Sequence, residues 1–186
     1  MGFLVFLGVI ALIAVVLVGI YNRLVALRQN RNNAFSDIEV QLKQRYDLVP
    51  QLVETVKGYA THEKGVFEAV TNARAGIAQS HGTDQRIEAE KKLGGALMTL
   101  FAVAENYPQL KADANFQSLM AELSDIENKI AASRRFFNNA TSELNTAVEQ
   151  FPANVIAGKF GFKAETFYED TAVGRAELEK APAVKF

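Results

Sequence analysis

The sequence predicts an all-α protein: an N-terminal transmembrane helix continuing into an antiparallel bundle of three or four long helices. Three observations carry this. Met1–Ile20 holds no charged or strongly polar side chain. Beyond it, apolar residues recur at steps of three and four, the period of a helix face. Strand-like alternation of apolar and polar residues is missing from the body of the chain.

The first element is the anchor. Twenty helical residues rise about 30 Å, the thickness of a bilayer's hydrocarbon core, so residues 3–20 are expected to sit in lipid. Tyr21 follows where an interfacial aromatic belongs. A cleavable signal would need a basic start, a shorter apolar run and a small-x-small exit. No Lys or Arg precedes the run, and Val18-Gly19-Ile20 exits poorly. Myristoylation at Gly2 fails on Phe6, where Ser or Thr is required. Arg23, Arg28 and Arg31 precede the first acid, Asp37. The positive-inside rule therefore orients the body of this single-pass protein to the cytoplasm. The three arginines are a modest bias, so a periplasmic or extracellular body is the alternative.

The second element follows without a turn. Leu24, Leu27, Arg31, Ala34 and Ile38 step by three and four. Leu42, Tyr46, Val49, Val53, Val56, Ala60, Glu63, Val66, Val70, Ala73 and Ile77 continue the stripe, with Arg31 and Glu63 as imperfections. Pro50 removes a backbone donor and predicts a kink rather than a reversal. The first strong break is Ser80-His81-Gly82-Thr83-Asp84. A shorter helix is expected from about Gln85 to Glu105, ended by Asn106-Tyr107-Pro108.

The last long helix has the cleanest pattern. Phe116, Leu119, Leu123, Ile126, Ile130, Ser133, Phe137, Ala140, Leu144, Ala147 and Phe151 alternate spacings of three and four, a heptad stripe suited to coiled-coil packing. Pro152 stops it. Val155–Phe162 is apolar but interrupted by glycine, and predicts one turn plus a loop. The domain division is therefore 1–21 anchor, 22–163 helical bundle and 164–186 polar flexible tail, although Pro182, Val184 and Phe186 would share one face of an extended segment.

Composition removes several chemistries. With 20 Lys+Arg against 21 Asp+Glu, the chain lacks the basic excess that nucleic-acid binding requires. Zero Cys excludes disulfides, thiolate zinc sites and cysteine nucleophiles. His62 and His81 are isolated, and His62-Glu63 is followed by Val66, not a second zinc-binding His. Gly94-Gly95 lacks the flanking strand and Lys-Ser/Thr ending of a phosphate loop and predicts close helix–helix approach. Asp37 with Glu39, and Asp125 with Glu127, lie two apart on helices and cannot act as dyads. Arg45-Tyr46-Asp47 reads as an ion pair on a helix edge. Arg134-Arg135 before Phe136-Phe137 reads as a mixed bundle surface. No catalytic residue, cofactor or metal is expected, and the protein is expected not to be an enzyme.

Three blocks resemble the LemA family of bacterial membrane-anchored proteins. The first is Tyr21-Asn22-Arg23-Leu24-Val25-Ala26-Leu27-Arg28 with Asn33-Ala34-Phe35-Ser36-Asp37-Ile38-Glu39-Val40-Gln41-Leu42-Lys43. The second runs from Arg45-Tyr46-Asp47-Leu48-Val49-Pro50-Gln51-Leu52-Val53 through Val56-Lys57-Gly58-Tyr59-Ala60 to His62-Glu63. The third is Phe151-Pro152, Asn154-Val155-Ile156-Ala157-Gly158, Phe160-Gly161-Phe162 and the Pro182-x-Val184-x-Phe186 ending. Phe35 stands where the family often has Trp. The resemblance implies an anchored helical architecture in the bacterial inner membrane, and no catalytic residues can be carried over from it. It also implies a link to membrane metalloproteases of the heat-shock class, hence an alternative role as accessory regulator of such a protease or of an envelope-stress pathway.

The leading expectation is a membrane-anchored scaffold or adaptor acting through self-association and partner binding, its partners being the bilayer, further copies of itself and a membrane protease. On a count of one helix out, one back and one out, Val155–Phe162 falls far from the membrane. Val155, Ile156, Phe160 and Phe162 are then the candidate contacts of a homo-oligomer.

Overall fold

The computed structural model describes residues 1–81 and 83–168. Every regular element among them is helical: α1 (Gly2–Lys57), α2 (Lys64–Gln79), α3 (Thr83–Ala104), α4 (Pro108–Lys111), α5 (Ala114–Glu149) and α6 (Ala153–Phe160). Pro182, Val184 and Phe186 lie outside the described residues. Two compact units divide the chain: one takes Met1–Val40 with the described residues from Lys129 onward, the other Gln41–Asn128.

In the first unit, α1 begins with the apolar run. Its side chains are exposed from Met1 through Gly19. Among the described residues α1 is the one helix long and apolar enough to cross a membrane. Burial starts at Leu24 and recurs at Ala34 and Ile38, where the chain needs a protein partner instead of lipid. That partner is the second half of α5: Phe35 and Phe137 rings lie 5.7 Å apart, and Leu24 and Ala147 share a cluster with Ile156, Ala157 and Phe162. The heptad stripe is therefore buried at Phe137, Ala140, Leu144 and Ala147, but it stops before Phe151, which is exposed.

α6 replaces the single turn expected after Pro152. Gly161 ends it at φ 75°, a left-handed position costly for any residue with a Cβ. The next amide, Phe162 N, donates to the Ala157 carbonyl at 2.9 Å. This is the six-to-one bond of a Schellman ending, and the matching apolar contact is present because Ala157 and Phe162 belong to one cluster.

In the second unit, α1 continues through Pro50 and ends at Lys57. The sequence reading ran the helix on to residue 77; the structure breaks it between Lys57 and Lys64. The turn is closed by Ala60 N donating to Val56 O at 2.9 Å and Glu63 N to Ala60 O at 3.2 Å. Ala60 is buried inside the turn, so it keeps the apolar spacing while the chain ceases to be helical. Periodicity alone cannot see such a break.

Contacts in this unit come in ordered pairs. Arg74 on α2 donates to the Tyr46 carbonyl on α1 and stacks over the Tyr46 ring at 3.8 Å, and Lys57 lies 5.9 Å from the Phe67 ring. Arg45 meets Glu90 on α3 and Glu127 on α5. Tyr59 bonds Asp113, and Tyr107 approaches Glu63. The core contains Leu42, Leu48, Val49, Leu52, Val53 and Val56 from α1, with Val70, Leu93, Leu97, Leu100, Leu123 and Ile126 from its neighbours. A Cβ built on Gly94 or Gly95 would meet nothing within 4 Å. The expected close approach at these glycines is therefore corrected; neither is needed for packing.

Candidate functional site

Two arrangements stand out, one in each unit. The first surrounds the end of the apolar run. α6 places Phe160 against Tyr21 with ring centroids 4.9 Å apart, and Phe162 lies 6.0 Å from the same ring. Arg28 stands over the Phe162 ring, its guanidinium carbon 4.8 Å from the ring centre. The segment expected far from the membrane thus packs on the residue that directly follows Ile20. The count behind that expectation ran one helix through to residue 77, whereas α1 ends at Lys57 and α2 begins at Lys64.

The four candidate contact residues divide. Ile156 and Phe162 are buried within their own unit, whereas Val155 and Phe160 remain exposed. They do not form one continuous outward patch. Exposed Phe151, which precedes α6, extends the outward apolar surface instead.

From Phe162 the chain runs back along α5 as an extended strap. The Asn145 amide donates to Glu165 O at 2.9 Å and accepts from Glu165 N at 2.8 Å. One heptad earlier, Asn138 donates to Tyr168 O at 3.1 Å and accepts from Tyr168 N at 2.8 Å. The spacing is a pitch match. Seven helical residues rise about 10.5 Å, and three extended residues advance about 10 Å. Each side-chain amide does for the strap what a neighbouring β-strand would do. Residues 164–168, assigned to the tail by sequence, are therefore held, because these amides satisfy backbone groups that a free tail would give to water.

Arg31 explains its place in an otherwise apolar stripe. Its Nε donates to Thr141 Oγ1 at 3.1 Å and its Nη2 to Thr166 O at 3.2 Å, with Glu165 at 3.4 Å. Its guanidinium also lies 4.7 Å from the Phe137 ring centre, and Arg134 stands over Tyr168 at 4.8 Å. Arg134 over the Tyr168 ring and Arg31 through Thr166 and Glu165 hold the strap at two levels. Beside it, α1 and α5 border a groove of about 430 Å³ lined by Arg23, Leu27, Ser142, Glu143, Thr146 and Gln150, among others.

The second arrangement is a buried charge cluster. Arg45 and Glu90 are 4% and 3% exposed and form a direct ion pair; Arg45 Nη1 also donates to Glu127 at 2.8 Å. The expected ion pair on a helix edge is corrected: Arg45 points into the core and joins three helices, while Asp47 pairs with Lys43 on the surface. Burial opposes the Arg45 charge most strongly, but the hydrogen bond to Glu127 and the two carboxylate charges outweigh it and raise its pKa. Glu90 Oε1 and Arg45 Nε carry no hydrogen bond. In a pair satisfied this incompletely, the cost of desolvating both charges offsets much of their attraction.

Neither arrangement has the parts of an active site. Arg45 stays charged and cannot serve as a base. His62 is exposed, and the backbone amide of His81 is bonded to Gln85. Among the described residues, no group of three or more His, Asp or Glu could hold a metal. Sequence reasoning missed Asn138 and Asn145, although two asparagines seven apart beside a heptad stripe were a visible signal. Nothing in the sequence pointed from Arg45 to Glu90.

The LemA family model matches residues 34–186. Magnetosome protein MamQ 2 of Paramagnetospirillum magneticum is 26% identical over 194 aligned residues, covering 90% of this chain and 71% of the relative. Magnetosome protein MamQ of Magnetospirillum gryphiswaldense is 24% identical over 180, covering 83% and 66%. Protein LemA of Metamycoplasma hominis is 25% identical over 181, covering 95% and 81%.

Proposed function

The chain belongs to the LemA family, and from that premise we propose that it is a non-enzymatic scaffold, anchored in the membrane by α1, that acts by binding partners and by associating with its own copies. The observation that carries this reading is the continuity of α1. One helix runs from the exposed apolar run through Tyr21 and on to Lys57 with no turn or glycine-rich linker. A flexible tether would free the helical body from the membrane; a continuous helix fixes its orientation. That is useful to a part that positions partners.

The ordered contact pairs support an antiparallel arrangement of the helices in the second unit. Tyr46 with Arg74 and Lys57 with Phe67 pair rising numbers on α1 with falling numbers on α2. Arg45 with Glu127 and Tyr59 with Asp113 do the same for α5. Confinement to a plane raises the effective concentration of neighbours, so weak contacts between copies become productive. The relatives' names include a magnetosome protein and a LemA protein, which fits one architecture used in more than one assembly.

The test has two readouts on full-length protein. Extraction of membranes with alkaline carbonate should leave the protein in the pellet; release would end the anchored reading. Light scattering in detergent should give a mass above one copy, and a strictly monomeric mass would remove self-association.

A further inference from the structure

We propose that α6 and the Phe151-Pro152 corner before it form an interfacial foot, seated in the headgroup region of the same bilayer that α1 spans. The inference rests on the anchored reading above and gives it a second lipid contact.

Three observations converge. The first is level along α1. Gln150 at the end of α5 and Arg23 on α1 line the same groove, so the Phe151-Pro152 corner falls about one helical turn from Ile20, where the apolar run ends. Phe160 at the other end of α6 touches Tyr21, and Ile156 and Ala157 between them pack with Leu24 and Ala147. Both ends of α6 therefore lie at the depth where a spanning helix leaves hydrocarbon. Interfacial aromatics collect at that depth.

The second observation is a surplus of apolar surface. Ile156, Ala157 and Phe162 already fill the contact with α1 and α5. Phe151, Val155 and Phe160 remain 82%, 65% and 58% exposed. Phe160 touches Tyr21, which follows the exposed apolar run of α1 by two residues, so one lipid phase can cover both.

The third observation is charge. Between Leu144 and Ala164 the chain has one acid, Glu149, against Lys159 and Lys163. Arg23 and Arg28 lie at the same level of α1. A net positive collar beside apolar anchors matches an anionic headgroup layer.

The chain has no Cys, so a single introduced thiol labels one place. Full-length Leu12→Cys, Val155→Cys and Met98→Cys carry an environment-sensitive fluorophore in liposomes of zwitterionic and anionic phospholipid. Lipids bearing a spin label near the headgroup or deep in the chain act as quenchers. The expected result is severalfold quenching at 155 by the shallow quencher and deep quenching at 12, with the exposed position 98 of α3 as the comparison label. Deep quenching at 12 with a water-exposed label at 155 would overturn the foot and leave the anchor intact. A water-exposed label at 12 would overturn the anchor and the foot with it. If 155 escapes the lipid quenchers but is quenched by a spin-labelled second copy, the patch is a contact between copies and the proposal is wrong.

Discussion

Asn145 and Glu165 are joined by a closed pair of hydrogen bonds, the side-chain amide of one donating to and accepting from the backbone of the other. The arrangement repeats at Asn138 and Tyr168, so the strap is held at two points one heptad apart. The amides also set its register. A slip by one residue would present each asparagine with backbone groups that face the wrong way, because successive residues of an extended chain alternate.

Asn145→Ala removes two partly exposed hydrogen bonds and should cost about 1–2 kcal/mol at the usual net value per bond. Asn138→Ala should cost a similar amount. Limited proteolysis should show faster cleavage between Phe162 and Tyr168 in both variants. Unchanged cleavage would mean that the rings and cations hold the strap without the amides.

The buried charge cluster predicts that a double variant is more stable than a single one. Glu90→Ala leaves Arg45 charged in the core with only Glu127 to meet it, and should cost about 3–5 kcal/mol. Arg45→Met with Glu90→Leu should recover most of that loss, since an apolar pair of similar volume needs no desolvation. Chemical unfolding of the wild type, the single variant and the double variant reads the difference. A double variant no more stable than Glu90→Ala would show that the pair contributes net stability.

Asp113 and Tyr59 predict two pH limbs. The Phe116 amide, then the Tyr59 hydroxyl and the Asn115 amide, hold the Asp113 carboxyl below its ordinary 3.8 against an opposing effect of burial. Folding therefore favours the carboxylate; the contribution is present above the unfolded value and is lost as pH falls through the depressed one. The hydrogen bond to Asp113 pushes the Tyr59 hydroxyl above 10.0, with smaller help from burial and from the Asp113 charge. Its contribution is full below 10.0 and is lost as pH rises through the raised value. Melting temperature against pH should lose part of its acid limb in Asp113→Asn and part of its alkaline limb in Tyr59→Phe.

Ile126 lies in the buried stripe of α5 at 3% exposure. Ile126→Asp places an unpaired charge there and should cost at least about 3 kcal/mol. Phe136→Asp, on the exposed side of the same helix, should stay within about 0.5 kcal/mol of the wild type. Equal melting temperatures for the two variants would contradict the assigned faces of α5.

The sequence by itself determined the helical class, the apolar run, and the side of each long helix that is buried. These follow from local chemistry: side chains three and four apart share a helix face, and apolar side chains on that face must leave water. Leu24, Ile38, Leu123 and Ile130 were legible for that reason. Tertiary structure decided where the chain turns between Lys57 and Lys64, because Ala60 satisfies the apolar spacing in a helix and in a buried turn alike. It also decided the partners of Arg45, Arg31, Asn138 and Asn145. Polar side chains carry no periodic signal that names a partner 20 to 135 positions away; only packing brings the two ends together. The position of α6 beside Tyr21 depends on both, since its apolar residues are local but the Tyr21 ring that meets Phe160 comes from a stretch of chain far away in sequence.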